Sequence, residues 1–121
     1  MKQPTRAWSL TASLLLFAAP AFANGSLLCE GLPYSAEVQF RLSTGELTGL
    51  IVARTDRDDP APQRFVLRQH FADARRQVMR IRGTGAERPH RTVALSVSKS
   101  RGTLSYGGAQ HRLRCDWDSA G

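Results

Sequence analysis

The sequence predicts an all-β domain: a small single-domain antiparallel β-sandwich or barrel of about seven strands, held by one disulfide. Three observations predict it. Apolar residues recur at every second position from about residue 35 onward, turn residues interrupt them about every 8–12 positions, and two cysteines lie near the two ends of the chain left after export.

The chain has 121 residues, 17 Lys+Arg against 10 Asp+Glu, and a formal net charge of +7. That length allows one domain. It excludes a multidomain enzyme and a nucleotide-binding fold with a separate substrate domain. Two cysteines are too few for a disulfide-dense miniprotein, and 41% apolar residues argue against wholesale disorder.

Residues 1–23 have the organisation of a cleavable secretory signal peptide. Lys2 and Arg6 form a basic start, and Leu14-Leu15-Leu16-Phe17 lies in an apolar run that is too short to span a bilayer. Pro20 breaks the run, and Ala21-Phe22-Ala23 offers small residues for cleavage. The expected product is a single β domain, 24–121, soluble in the periplasm or secreted. Losing Lys2 and Arg6 leaves fifteen basic residues against ten acidic ones, a net +5.

In an oxidising compartment Cys29 and Cys115 are expected to pair, because neither CxxC nor HxxxH spacing offers a metal or redox alternative. The bridge closes most of the domain into one loop, and the chain-entropy model gives such a loop about 4–5 kcal/mol.

The strands are expected in the following order. Val38, Phe40 and Leu42 alternate with Glu37, Gln39 and Arg41; Ser43-Thr44-Gly45-Glu46 turns the chain; Leu47 to Arg54 returns as the second strand of a hairpin. A polar, proline-interrupted loop, 56–62, precedes a third strand, in which Phe65, Leu67 and Phe71 face one way and Val66, Arg68 and His70 the other. Residues 73–82 tolerate a helix, but Met79 and Ile81 alternate with Arg80 and Arg82, and a fourth strand is expected there. After a loop over 83–89, Val93, Leu95 and Val97 mark a fifth strand. A turn over 98–102, a sixth strand over 103–106, a tight Gly107-Gly108 turn and a seventh strand with His111, Leu113 and Cys115 on one face complete the chain.

The positive charge is local. Arg64, Arg68, Arg75, Arg76, Arg80, Arg82, Arg88 and Arg91 face only Asp73 and Glu87 in the same stretch, a balance of +6, while the rest of the exported chain sums to −1. If the third and fourth strands form a hairpin, Arg64, Arg68, Arg80 and Arg82 share its solvent face. Like charges across a sheet cost about a few tenths of a kcal/mol per pair, so stability alone does not select them. Guanidinium groups grip carboxylate and phosphate through two parallel hydrogen bonds. The expected partner is therefore anionic: a lipid head group, an acidic polysaccharide, a nucleic acid or an acidic protein. A merely solvated charged face remains the competing explanation.

Other constellations carry less. Ser96 and Lys99 spell S-x-x-K, but three positions apart on a strand they face opposite ways. Asp56, Asp58 and Asp59 lack the glycine and the glutamate of a calcium loop, those positions being Ala61 and Leu67. His70, His90 and His111 lack ligand spacing, and no metal or cofactor is expected. Glu37, Glu46 or Glu87 with His90 or His111 would supply the acid–base types of a small secreted ribonuclease. Asp116-Trp117-Asp118 sets the one tryptophan of 24–121 between two carboxylates beside the bridge, a ring that stacks on a sugar or packs on the disulfide. Size, export, a first-to-last bridge and an all-β pattern resemble the periplasmic inhibitors of c-type lysozyme, a resemblance of architecture that implies an enzyme inhibitor. The leading expectation is a non-catalytic exported binding or accessory module, with the inhibitor and the ribonuclease behind it.

Overall fold

A computed structural model describes residues 24–120; the signal-peptide segment 1–23 lies outside the described residues. Eight strands, β1 (Asn24–Glu30), β2 (Tyr34–Arg41), β3 (Leu47–Arg54), β4 (Gln63–Asp73), β5 (Val78–Gly85), β6 (Thr92–Ser98), β7 (Arg101–Tyr106) and β8 (Ala109–Asp116), are followed by a 3-10 helix, Trp117–Ala120. They form a closed antiparallel barrel in which each strand pairs with its sequence neighbours and β8 returns to β1. Up-and-down closure removes the free edges of an open sheet. It also sends the loops alternately to two ends. The upper end carries 31–33, 55–62, 86–91 and 107–108; the lower end carries 42–46, 74–77, 99–100 and the 3-10 helix.

Period-2 alternation explains the core. Leu27, Val38, Leu50, Val52, Phe65, Ile81, Leu95, Leu104 and Leu113 point inward and are buried, and every strand contributes at least one buried residue. The barrel is therefore filled by its own side chains. Chemistry is left to the outer wall and the two mouths.

Two seams are short. β1 and β8 share three register pairs, Leu28 with Asp116, Cys29 with Cys115 and Glu30 with Arg114. The disulfide sits at the middle pair and joins residues 86 positions apart. Gly102 makes room for it, since a Cβ there would lie 2.7 Å from the Cys115 sulfur. The other short seam, β3–β4, also has three pairs, Leu50–Phe65, Ile51–Arg64 and Val52–Gln63.

The structure corrects the sequence reading in four places. Residues 24–30 form an additional strand: Leu27 and Cys29 face inward, but the outward Leu28 between them, 37% exposed, hides the alternation. Residues 74–77 form a turn rather than strand, with Gln77 at φ 57°, and the following strand starts at Val78 and runs to Gly85. The turn expected over 98–102 is only Lys99-Ser100. Finally, β4 carries a bulge: Leu67 pairs with Gly83 and Gln69 with Arg82, so Arg68 is an extra residue and the parity beyond it reverses. Phe71, expected on the apolar side, instead stands opposite Arg80 on the outer face at 54% exposure, while His70 stands opposite the buried Ile81. The Gly107-Gly108 turn is as expected, both residues at positive φ (63° and 81°), the conformation of a two-residue hairpin loop.

Candidate anion-binding wall and barrel mouth

Strand parity positions the outer-wall arginines. On β5 the buried Met79 and Ile81 alternate with the exposed Arg80 and Arg82. On β4 the buried Phe65 leaves Arg64 outward, and the bulge residue Arg68 lies over β5, its Nε donating to the Thr84 hydroxyl at 2.9 Å. Arg64, Arg68, Arg80 and Arg82 thus lie on the outer surface of one hairpin. Among the described residues none has a carboxylate within ion-pair distance; the ion pairs are Arg41–Glu46, Arg54–Asp56 and Arg76–Asp73.

The other four arginines of the sequence-predicted stretch are elsewhere. Arg75 and Arg76 lie on the lower β4–β5 turn, where Asp73 accepts from both backbone N–H groups and sits 3.9 Å from the Arg76 guanidinium. Arg88 and Arg91 lie on the upper 86–91 loop. The structure therefore brings four of the eight together on the wall.

It also adds three that sequence arithmetic missed. Arg101 pairs in register with Arg114, Thr103 with Arg112, and Arg114 with Glu30. Summing charge over the remainder of the chain hid this cluster, because the acids outside 64–91 cancel it, among them Glu30 opposite Arg114 and Asp116 further along β8. Strands β5, β6 and β7 carry no acidic residue. Between the two arginine banks the outward positions of β6 are small: Ala94 stands opposite Arg82 and Ser96 opposite Arg80. Two shallow depressions follow. One, of about 410 Å³, is lined by Phe71, Arg80, Arg82, Ala94 and Ser96 among others; the next, of about 430 Å³, by Arg68, Arg82, Thr84, Thr92 and Ser105 among others.

The upper mouth holds a second polar group. Tyr34 and Tyr106 meet edge to face with ring centroids 5.1 Å apart, and His111 and Phe65 pack against the pair at 4.9 and 5.8 Å. Arg54 stacks over Tyr34, its carbon 5.0 Å from the ring centre, and donates to the Tyr34 hydroxyl at 3.1 Å. Asp56 accepts from Arg54 Nε at 2.9 Å and Nη2 at 2.7 Å, a two-pronged pair. These hydrogen bonds, opposed by partial desolvation and aided by the guanidinium charge, hold the Asp56 carboxyl below the usual carboxylate range. Arg91 Nη1 donates to the Tyr106 hydroxyl at 3.4 Å.

The remaining sequence candidates are dispersed. Asp59 accepts from the Ala61 N–H within its own loop. Trp117 packs against the core and donates its indole N–H to the Lys99 carbonyl at 2.6 Å, closing the lower end beside the bridge. Glu37 is on β2, Glu46 on the β2–β3 loop, Glu87 and His90 on the 86–91 loop and His111 against Tyr34; no hydrogen bond joins a glutamate to a histidine among the described residues. Compared with known proteins, the chain matches no protein-family model, no curated protein and no solved structure.

Proposed function

We propose that residues 24–121 form an exported, non-catalytic binding module that takes an anionic partner on the outer wall of β4 and β5. One observation carries the reading: four outward arginines, Arg64, Arg68, Arg80 and Arg82, on one hairpin, none paired with a carboxylate among the described residues. None of the four stands directly opposite another in the strand register, Arg80 facing Phe71 and Arg82 facing Gln69, and guanidinium groups without a carboxylate partner are suited to grip a phosphate- or carboxylate-bearing one. The small outward residues of β6 leave the partner's backbone room to lie between this bank and Arg101, Arg112 and Arg114. Exposed Phe71 adds an apolar face beside Arg80, which suits a partner with bases or other flat groups as well as charge.

The test is a titration of the oxidised domain with a sulfated polysaccharide and with a single-stranded oligonucleotide, using wild type and the quadruple variant Arg64→Ser, Arg68→Ser, Arg80→Ser, Arg82→Ser. Wild type is expected to bind at low salt and the variant to lose most of that binding. Absence of binding to either polyanion at low salt would overturn the reading. Turnover of RNA would replace it with the ribonuclease, and inhibition of a c-type lysozyme with the inhibitor.

A further inference from the structure

A separate feature at the upper mouth of the barrel points to a small-molecule site. We infer that the mouth binds a compact oxyanion, a carboxylate or phosphate group on a small body, between Tyr34, Arg57, Gln63, Arg91 and Tyr106.

The space is a pocket of about 220 Å³ bounded by these five side chains, Arg54 and neighbouring backbone. Its floor is the filled interior, where Val52 and Phe65 are buried. Ligand pockets for drug-sized molecules run to roughly 300–1,000 Å³, so this one suits a head group rather than a whole polymer.

The polar lining is almost entirely donor. Each tyrosine oxygen accepts a hydrogen bond from an arginine, Tyr34 from Arg54 at 3.1 Å and Tyr106 from Arg91 at 3.4 Å. Neither hydroxyl donates its own proton in any hydrogen bond among the described residues, so both protons remain to be given to a ligand. Arg91 is half-buried and, like Arg57, has no carboxylate within ion-pair distance among the described residues. Gln63 adds an amide that can donate. Of the carboxylates nearby, Asp56 has both oxygens engaged by Arg54, and Asp59 accepts from the Ala61 N–H of its own loop.

A cation would meet the guanidinium groups of Arg57 and Arg91, neither of which is in an ion pair among the described residues, and an apolar ligand would strip water from donors without replacing it. An oxyanion satisfies two phenols and two guanidinium groups at once. Preorganisation strengthens the case: the tyrosine rings are fixed edge to face at 5.1 Å, and the 86–91 loop that carries Arg91 is tied by Gly85 N–H to Arg91 O and Arg91 N–H to Arg88 O, both 2.9 Å. This site is independent of the outer wall, since none of Arg64, Arg68, Arg80 and Arg82 lines it.

The experiment is a nuclear magnetic resonance titration of the oxidised domain with inorganic phosphate and, in parallel, with succinate, following tyrosine-ring and arginine side-chain signals. Saturable shifts at Tyr34, Tyr106 and Arg91 are expected with at least one anion, and the comparison identifies the preferred group. Arg91→Gln should weaken binding about tenfold or more, as loss of a charge-assisted contact does, and Tyr106→Phe several-fold while keeping the ring packing. The quadruple wall variant should bind the small anion as wild type does. If neither anion shifts the mouth signals, or if Arg91→Gln and Tyr106→Phe both bind as tightly as wild type, the inference is wrong. Either result leaves the polyanion titration of the wall to be judged separately.

Discussion

Removing the Cys29–Cys115 bridge is expected to bring the barrel close to its stability limit. The cross-link spans 86 positions, and for a loop of that length the chain-entropy model assigns about 4–5 kcal/mol to restriction of the unfolded chain. The seam it crosses has three register pairs, so little ladder remains to hold β1 to β8 once the covalent link is gone. A single domain of this size is stable by about 5–15 kcal/mol in total, and one kcal/mol moves its Tm by about 4–8 °C. The double variant Cys29→Ala, Cys115→Ala should therefore melt roughly 16–40 °C below the oxidised protein. Urea unfolding of oxidised wild type, reduced wild type and the double variant is the assay. Because the cross-link acts on the unfolded state, the two forms lacking it should also show a larger m value, their unfolded chains exposing more surface. A double variant within about 1 kcal/mol of the oxidised protein, with the same m value, would refute the reasoning and show that ladder pairing alone closes the barrel.

Three further outcomes are expected. Gly102→Ala should cost about 1–3 kcal/mol by denaturation, since its Cβ would lie 2.7 Å from a sulfur that the bridge holds in place. The carboxyl of Asp56, followed by carbon resonance against pH, should titrate below its ordinary value of 3.8, and Arg54→Gln should return it towards that value. Because its folded pKa is depressed, the stabilisation from the Arg54–Asp56 pair is fully present above the unfolded pKa and is lost as pH falls through the folded one, so its loss is confined to acid. Phe71→Ser, at a 54% exposed position, should change stability by no more than about 0.5 kcal/mol yet weaken oligonucleotide binding more than polysaccharide binding, because a base stacks on the ring and a sulfated sugar draws mainly on charge.

Most of the barrel is legible because alternation is a local signal. β2 and β6 alternate throughout, β8 does so at Leu113 and Cys115, β3 only from Leu50 to Val52 because Thr48 is an extra residue in its pairing with β2, and the Gly107-Gly108 turn announces its own geometry. Two features defeat that signal. In β1 an outward leucine sits between two inward residues, so the segment reads as a short apolar run. In β4 one extra residue, Arg68, reverses the parity of everything after it, and no composition rule marks where a bulge falls. That single insertion moves Phe71 onto the basic wall and changes which partners suit it.

The wall itself is legible in part. Arg64, Arg80 and Arg82 flank inward apolar residues, and a period of two places them outward. Arg101, Arg112 and Arg114 are hidden by net-charge bookkeeping because they lie on β7 and β8, outside the 64–91 stretch in sequence, and their charge is summed with every acid outside it, including Glu30 opposite Arg114 and Asp116 at the end of β8. The mouth is not legible at all: Tyr34, Arg54, Arg91 and Tyr106 meet only because β2, β3, the 86–91 loop and β7 converge at one end of a closed barrel.

The central claim is that the β4–β5 arginines grip an anionic partner, and the salt dependence of binding tests it most directly. With a single-stranded oligonucleotide as polyanion, log K should fall linearly with log salt, and each phosphate neutralised contributes about −0.7 to the slope. Removing Arg64, Arg68, Arg80 and Arg82 together should make the slope shallower by about 3. An unchanged slope and affinity in that variant, or no binding by wild type at low salt, would contradict the account.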